Sequence, residues 1–80
     1  MTLKLPPLND DSKIRFFARL GHWKDVKARM VEAQTNGASA THDRTAQTVV
    51  VSWNGDTLFR ALAKGDGVWL VLYNPQYYPR

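Results

Sequence analysis

The stretch Asp56-Thr57-Leu58-Phe59-Arg60-Ala61-Leu62-Ala63-Lys64-Gly65 decides the fold. It reads in two ways. As a helix it has an Asp at the N-cap, helix formers inside and a Gly where a C-terminal cap belongs. As a strand it lies between two turn signals, Asn54-Gly55-Asp56 and Gly65-Asp66-Gly67, the first of which is typical of hairpins. Intrinsic propensity favours helix, and strand register favours strand. A three-residue first loop pairs Trp53 with Thr57, Val51 with Phe59 and Val49 with Ala61. A two-residue turn at Gly65-Asp66 pairs Lys64 with Gly67, Ala63 with Val68, Ala61 with Leu70 and Phe59 with Leu72. The apolar members of these pairs then share one face. Two independent turns agree, so strand is the preferred reading and helix the alternative.

The flanking segments extend this to a β-meander over residues 47–73. Thr48 to Trp53 is β-branched and aromatic, and Val68 to Tyr73 is an apolar run of strand length,. Upstream, residues 37–46, Gly-Ala-Ser-Ala-Thr-His-Asp-Arg-Thr-Ala, are small and polar and read as a flexible loop,. A helix is predicted from about Trp23 to Gln34. Trp23, Val26, Met30 and Ala33 form one stripe, Asp25, Arg29 and Glu32 lie opposite, and Asn36-Gly37 ends it,. A shorter helix is predicted over 11–20, with caps among Asn9 to Ser12 and an apolar side of Ile14, Phe16, Phe17, Ala18 and Leu20,. Residues 1–9 form an arm in which Pro6-Pro7 forbids a helix. Residues 74–80 form a tail with two prolines.

The expected architecture is a single α+β domain. An N-terminal αα-hairpin over 11–36 packs on one face of a three-stranded antiparallel β-meander. The composition fits: 80 residues, 44% hydrophobic and no cysteine, which is globular and too short for two cores. Without cysteine there is no disulfide framework, no thiolate zinc site and no thiol nucleophile. The first eight residues carry no apolar signal-peptide core and no window is long enough to span a bilayer, so the expected location is cytoplasmic.

Function is sought on the second face of the meander. In the predicted register it shows Val50, Leu58, Arg60, Leu62, Trp69, Val71 and Tyr73, which is too apolar for a solvated face. Either the arm, with Leu3, Leu5 and Leu8, or the Tyr77-Tyr78 tail folds across it, or it is an interface. The candidate partner-binding residues are Leu58, Arg60, Leu62, Trp69, Val71 and Tyr73, centred on Trp69 and Tyr73, since aromatics and Arg anchor interfaces. The partner is a protein or a second copy of the chain. Trp69, Tyr73 and Arg60 are also the residues that would stack nucleobases.

Charge supplies an alternative. Eleven Lys and Arg face seven Asp and Glu, a net +4. Lys13, Arg15, Arg19, Lys24, Lys27 and Arg29 fall close together, with Asp25 the only acid among them. On two adjacent helices they would form a phosphate-binding patch, or else ordinary solvated helix faces. A third reading, a small enzyme, rests on the dipeptide His42-Asp43 alone, which lacks further ligands or triad partners. No catalytic residue, metal or cofactor is expected. Asn74-Pro75-Gln76-Tyr77 resembles the Asn-Pro-x-Tyr ligands of phosphotyrosine-binding domains, and equally reads as a turn whose tyrosines pack back. In size and composition the chain resembles small phage and plasmid accessory proteins that inhibit host machinery by binding. The expected function is a non-enzymatic binding protein acting by occupancy.

Overall fold

In a computed structural model that describes residues 14–79, the chain forms five strands and one helix. In order they are β1 (Phe17–His22), α1 (Trp23–Thr35), β2 (Ser39–Asp43), β3 (Thr48–Trp53), β4 (Asp56–Gly65) and β5 (Val68–Tyr73). The strands make one antiparallel sheet in the order β1-β5-β4-β3-β2. Helix α1 carries the chain from one edge of the sheet to the other. Three consecutive hairpins then return it to β1. The expected helical hairpin over a three-stranded meander is thus replaced by one helix over a five-stranded, mostly β architecture.

Two segments account for the correction. Residues 17–20, predicted as the end of a helix over 11–20, form a strand that runs on to His22, while Lys13 and the rest of 1–13 lie outside the described residues. Strand β1 pairs along the whole of β5, from Phe17 opposite Tyr73 to His22 opposite Val68. It satisfies backbone groups that β5 would otherwise leave bare at the sheet edge. His22 then leads directly into α1, its N–H donating to Asp25 Oδ2 at 3.2 Å. Residues 39–43, predicted as loop, are the opposite edge strand. Ala40 faces Val51 and His42 faces Val49. The hairpin is closed by Asp43, whose Oδ1 accepts N–H bonds from Thr45 and Ala46 at 3.0 and 2.9 Å.

The decisive stretch is strand. Val51 faces Phe59 and Val49 faces Ala61, as the predicted register requires. The route differs: Asn54-Gly55 is a two-residue turn with φ of 52° and 84°, and a bulge between Ser52 and Val51 inserts Leu58 as an extra residue. Leu58 and Phe59 are therefore both buried in the core,. The second hairpin departs from prediction. Phe59 faces Tyr73, Ala61 faces Val71 and Ala63 faces Trp69, because a second bulge at Lys64 precedes an Asp66-Gly67 turn. Gly65, Asp66 and Gly67 all take positive φ, 102°, 55° and 76°, and glycine adopts that conformation at no steric cost. One inserted residue turns every side chain of β5 over.

The core lies between α1 and one sheet face. Val26 and Ala33 of α1 meet Val49, Val51, Leu58, Phe59, Ala61, Trp69 and Val71, with Trp23 and Met30 packed at the margin. The predicted stripe of α1 is the stripe that is used. Gly37, at φ 96°, ends the helix as expected.

Candidate functional site

The two bulges split the six candidate interface residues: the one at Leu58 turns that residue inward, and the one at Lys64 turns over Trp69, Val71 and Tyr73. Arg60 and Leu62 lie on the open face of the sheet. Trp69, Val71 and Leu58 are buried at 8%, 3% and 8% exposure, beneath the helix. Tyr73 shares that covered side, facing Phe59 and Phe17 across its two neighbouring strands. An interface anchored on Trp69 and Tyr73 is therefore overturned. Trp69 instead packs on Trp23, ring centroids 5.0 Å apart, and His42 completes a three-ring cluster, 5.0 Å from Trp23 and 6.3 Å from Trp69.

The open face is assembled from residues of opposite parity. One row runs Ala18, Leu72, Arg60, Val50, Thr41, and the next Leu20, Leu70, Leu62, Thr48, Asp43. It is apolar across β1, β5 and β4 and polar at β2. Leu20 is 71% exposed and Leu62 36%. Arg60 sits on the middle strand, its guanidinium carbon 5.4 Å from the centre of the Phe16 ring. Leu20, Leu70 and Leu72 were not among the sequence candidates. The signal that marks them is Gly65: a glycine directly before an Asp-Gly turn permits a bulge and hence the opposite facing.

Of the six basic candidates Lys13 lies outside the described residues, and the other five do not form one patch. Arg19 of β1 and Arg29 of α1 converge on a cleft, whereas Lys24 and Lys27 are exposed elsewhere on α1. At about 100° per residue, Lys27 lies about 160° around the helix from Arg29. Arg15 is exposed just before β1. His42 and Asp43 do not form a dyad. Adjacent on a strand, they project to opposite faces, and Asp43 spends Oδ1 on its own turn. Among the described residues no three His, Asp or Glu side chains gather as a metal-binding group.

The Asn-Pro-Gln-Tyr segment is a turn. The Asn74 carbonyl accepts the N–H groups of Tyr77 and Tyr78, both at 3.0 Å. Tyr77 Oη donates to Asp56 Oδ2, and Tyr78 packs on Tyr73 and Phe59. The hydrogen bond to Asp56, then burial, then the Asp56 charge push the Tyr77 phenol above its ordinary 10.0. A phenol raised in the folded state contributes stability that is full below pH 10 and fades as pH rises through the folded value. Tyr77→Phe is therefore expected to lower Tm at neutral pH, with the gap to wild type closing in melts above pH 10. Tyr78, raised chiefly by burial and lowered in part by Arg29, is common to both proteins and cancels from the difference. A gap that stays constant to high pH would show that the Tyr77–Asp56 contact carries no stability.

No protein family, curated protein or solved structure matches the chain. No helix among the described residues is long and apolar enough to cross a membrane.

Proposed function

We propose that this chain is a non-enzymatic binding protein that acts in the cytoplasm by occupying an acidic protein partner, and that it docks through the open face of its sheet. One observation carries the reading: a single helix covers one side of a five-stranded sheet, and the other side presents Leu20, Leu62, Leu70 and Leu72 around Arg60. With strands about 4.8 Å apart and about 3.3 Å per residue, β1, β5 and β4 offer on the order of 300 Å² of apolar face. Patches of that order mark contact sites. A stable pair buries about 800 Å² on each side, so the occupant extends past the leucines onto Arg60 and the polar row of β2. Pairing two copies would bring two chains of charge +4 together around Arg60 on the middle strand. An acidic partner turns the same charge into attraction and faster association.

The test places a photo-crosslinking residue at Leu70 on the open face or at Lys24 on the helix. One discrete protein adduct in cells from position 70, absent from position 24 and abolished by Leu20→Asp with Leu62→Asp, is the expected result. Melting within a few degrees of wild type must accompany it, since exposed substitutions cost little. Equal adducts from both positions, or an adduct that is a second copy of the chain, would overturn the reading.

A further inference from the structure

A second binding feature lies on the other side of the molecule. Arg19 rises from β1 and Arg29 from α1, and both line a cavity of about 340 Å³ floored by Phe17, Tyr73 and Tyr78. Among the described residues its lining holds two guanidiniums and no carboxylate. Each guanidinium is held over a ring, Arg19 5.2 Å from the centre of Phe17 and Arg29 5.8 Å from that of Tyr78. The rings brace one another, with Phe17–Tyr73 and Tyr73–Tyr78 centroids 5.5 and 5.0 Å apart. Beyond a bond from Arg19 to the Ala18 carbonyl at 3.4 Å, neither guanidinium forms an ion pair among the described residues. Two pre-placed forks of donors suit a phosphate, which Arg binds through paired hydrogen bonds. An aromatic floor beside them suits a planar ring. The volume is at the small end for a ligand site and admits one unit. The adjoining cavity adds Asp25 and Glu32, so a second phosphate on that side meets negative charge.

We propose that the Arg19–Arg29 cleft binds single-stranded nucleic acid, one nucleotide at a time, its phosphate between the two arginines and its base against the Tyr78–Phe17 wall. Duplex is disfavoured, because its bases are stacked and cannot reach the rings, whereas single strands offer every base a stacking face. This site is separate from the open sheet face and stands or falls independently of it.

The experiment is fluorescence anisotropy with a labelled short oligouridylate across a salt series, repeated with duplex DNA, uridine monophosphate and polyglutamate. Arg19→Ala and Arg29→Ala are each expected to weaken oligouridylate binding about tenfold, and the double variant to reduce the log–log salt slope by about 0.7, the share of the one phosphate they hold. Arg29→Lys keeps the charge but loses the fork, and recovers only part of the affinity. Lys24→Ala, on the far side of α1, and Leu62→Asp, on the open sheet face, leave it unchanged. Thermal melts confirm that each variant is folded. The proposal is overturned if Lys24→Ala weakens binding as much as Arg29→Ala, which indicates diffuse charge attraction. Duplex or polyglutamate binding as tightly as the oligonucleotide overturns it too, as does uridine monophosphate binding where the oligonucleotide does not.

Discussion

Phe59→Ala is expected to bring the protein to the edge of unfolding, while Leu62→Ala, three residues along the same stretch, leaves it nearly intact. Phe59 is fully buried on the middle strand. It faces Val51 on one side and Tyr73 on the other, and its ring lies 5.8 and 6.0 Å from those of Tyr73 and Tyr78. Emptying such a site costs about 3–5 kcal/mol in lost transfer energy and cavity. A chain of this length has a total stability of about 4–12 kcal/mol, and each kcal/mol moves Tm by about 4–8 °C. A fall of about 20 °C is the expected reading by calorimetry or circular dichroism. Leu62 points to the open face at 36% exposure, and its truncation is expected to cost less than about 1 kcal/mol. The contrast tests the strand itself. On a helix, residues three apart share a face and would suffer alike. Equal losses at both positions would contradict the strand assignment of residues 56–65.

That stretch shows how far the sequence determines the fold and where it stops doing so. Helix α1 is legible because its signals are local: the Trp23, Val26, Met30, Ala33 stripe and the Asn36-Gly37 stop act within a few residues. The Asn54-Gly55 hairpin and the pairing of Val51 with Phe59 are legible for the same reason. Strand β1 is not. Ile14, Phe17, Ala18 and Leu20 satisfy a helical period, and what makes the segment a strand is the free edge of β5, some fifty residues away by the register. Strand β2, built from Ser, Ala, Thr and His, has little propensity of its own and is held by β3. A single inserted residue at Lys64 reverses the predicted facing of Trp69, since a one-residue slip exchanges the two faces of a strand,. The same slip hid Leu70 and Leu72. Arg60 and Leu62 precede the bulge and were placed on the open face from sequence. Arg19 and Arg29 read as surface charges on two helices. Their convergence follows only once one of those helices is a strand beside the other.

The second large effect is expected at Asn74, which is fully buried although it follows the last strand. Its side chain fixes the C-terminal turn to the start of β4: Nδ2 donates to the Thr57 carbonyl at 2.9 Å, and Oδ1 accepts the Gln76 N–H at 2.9 Å. Its backbone N–H donates to the Leu58 carbonyl at 2.9 Å, beside the bulge that puts Leu58 into the core. Asn74→Ala keeps the backbone bonds and removes both side-chain ones, taking the Asn74 partner from the part-buried Thr57 carbonyl and Gln76 N–H. The expected loss is about 1–3 kcal/mol, the value of two side-chain hydrogen bonds in a part-buried turn. Asn74→Asp is nearly the same shape and is expected to be worse. It cannot donate to Thr57, and it buries a negative charge next in sequence to a turn already holding the Asp56 carboxylate through Tyr77,. The consequences should also be local. Release of the turn withdraws Tyr78 from Phe59 and Tyr73, which removes a wall of the Arg19–Arg29 cleft, while the open face on the other side of the sheet keeps its leucines in place. Melting curves and protease sensitivity of the tail measure the first effect, and oligouridylate affinity against crosslinking from position 70 separates the two surfaces. Should Asn74→Ala melt within a degree or two of wild type, the turn is an appendage and not part of what holds β4 in register.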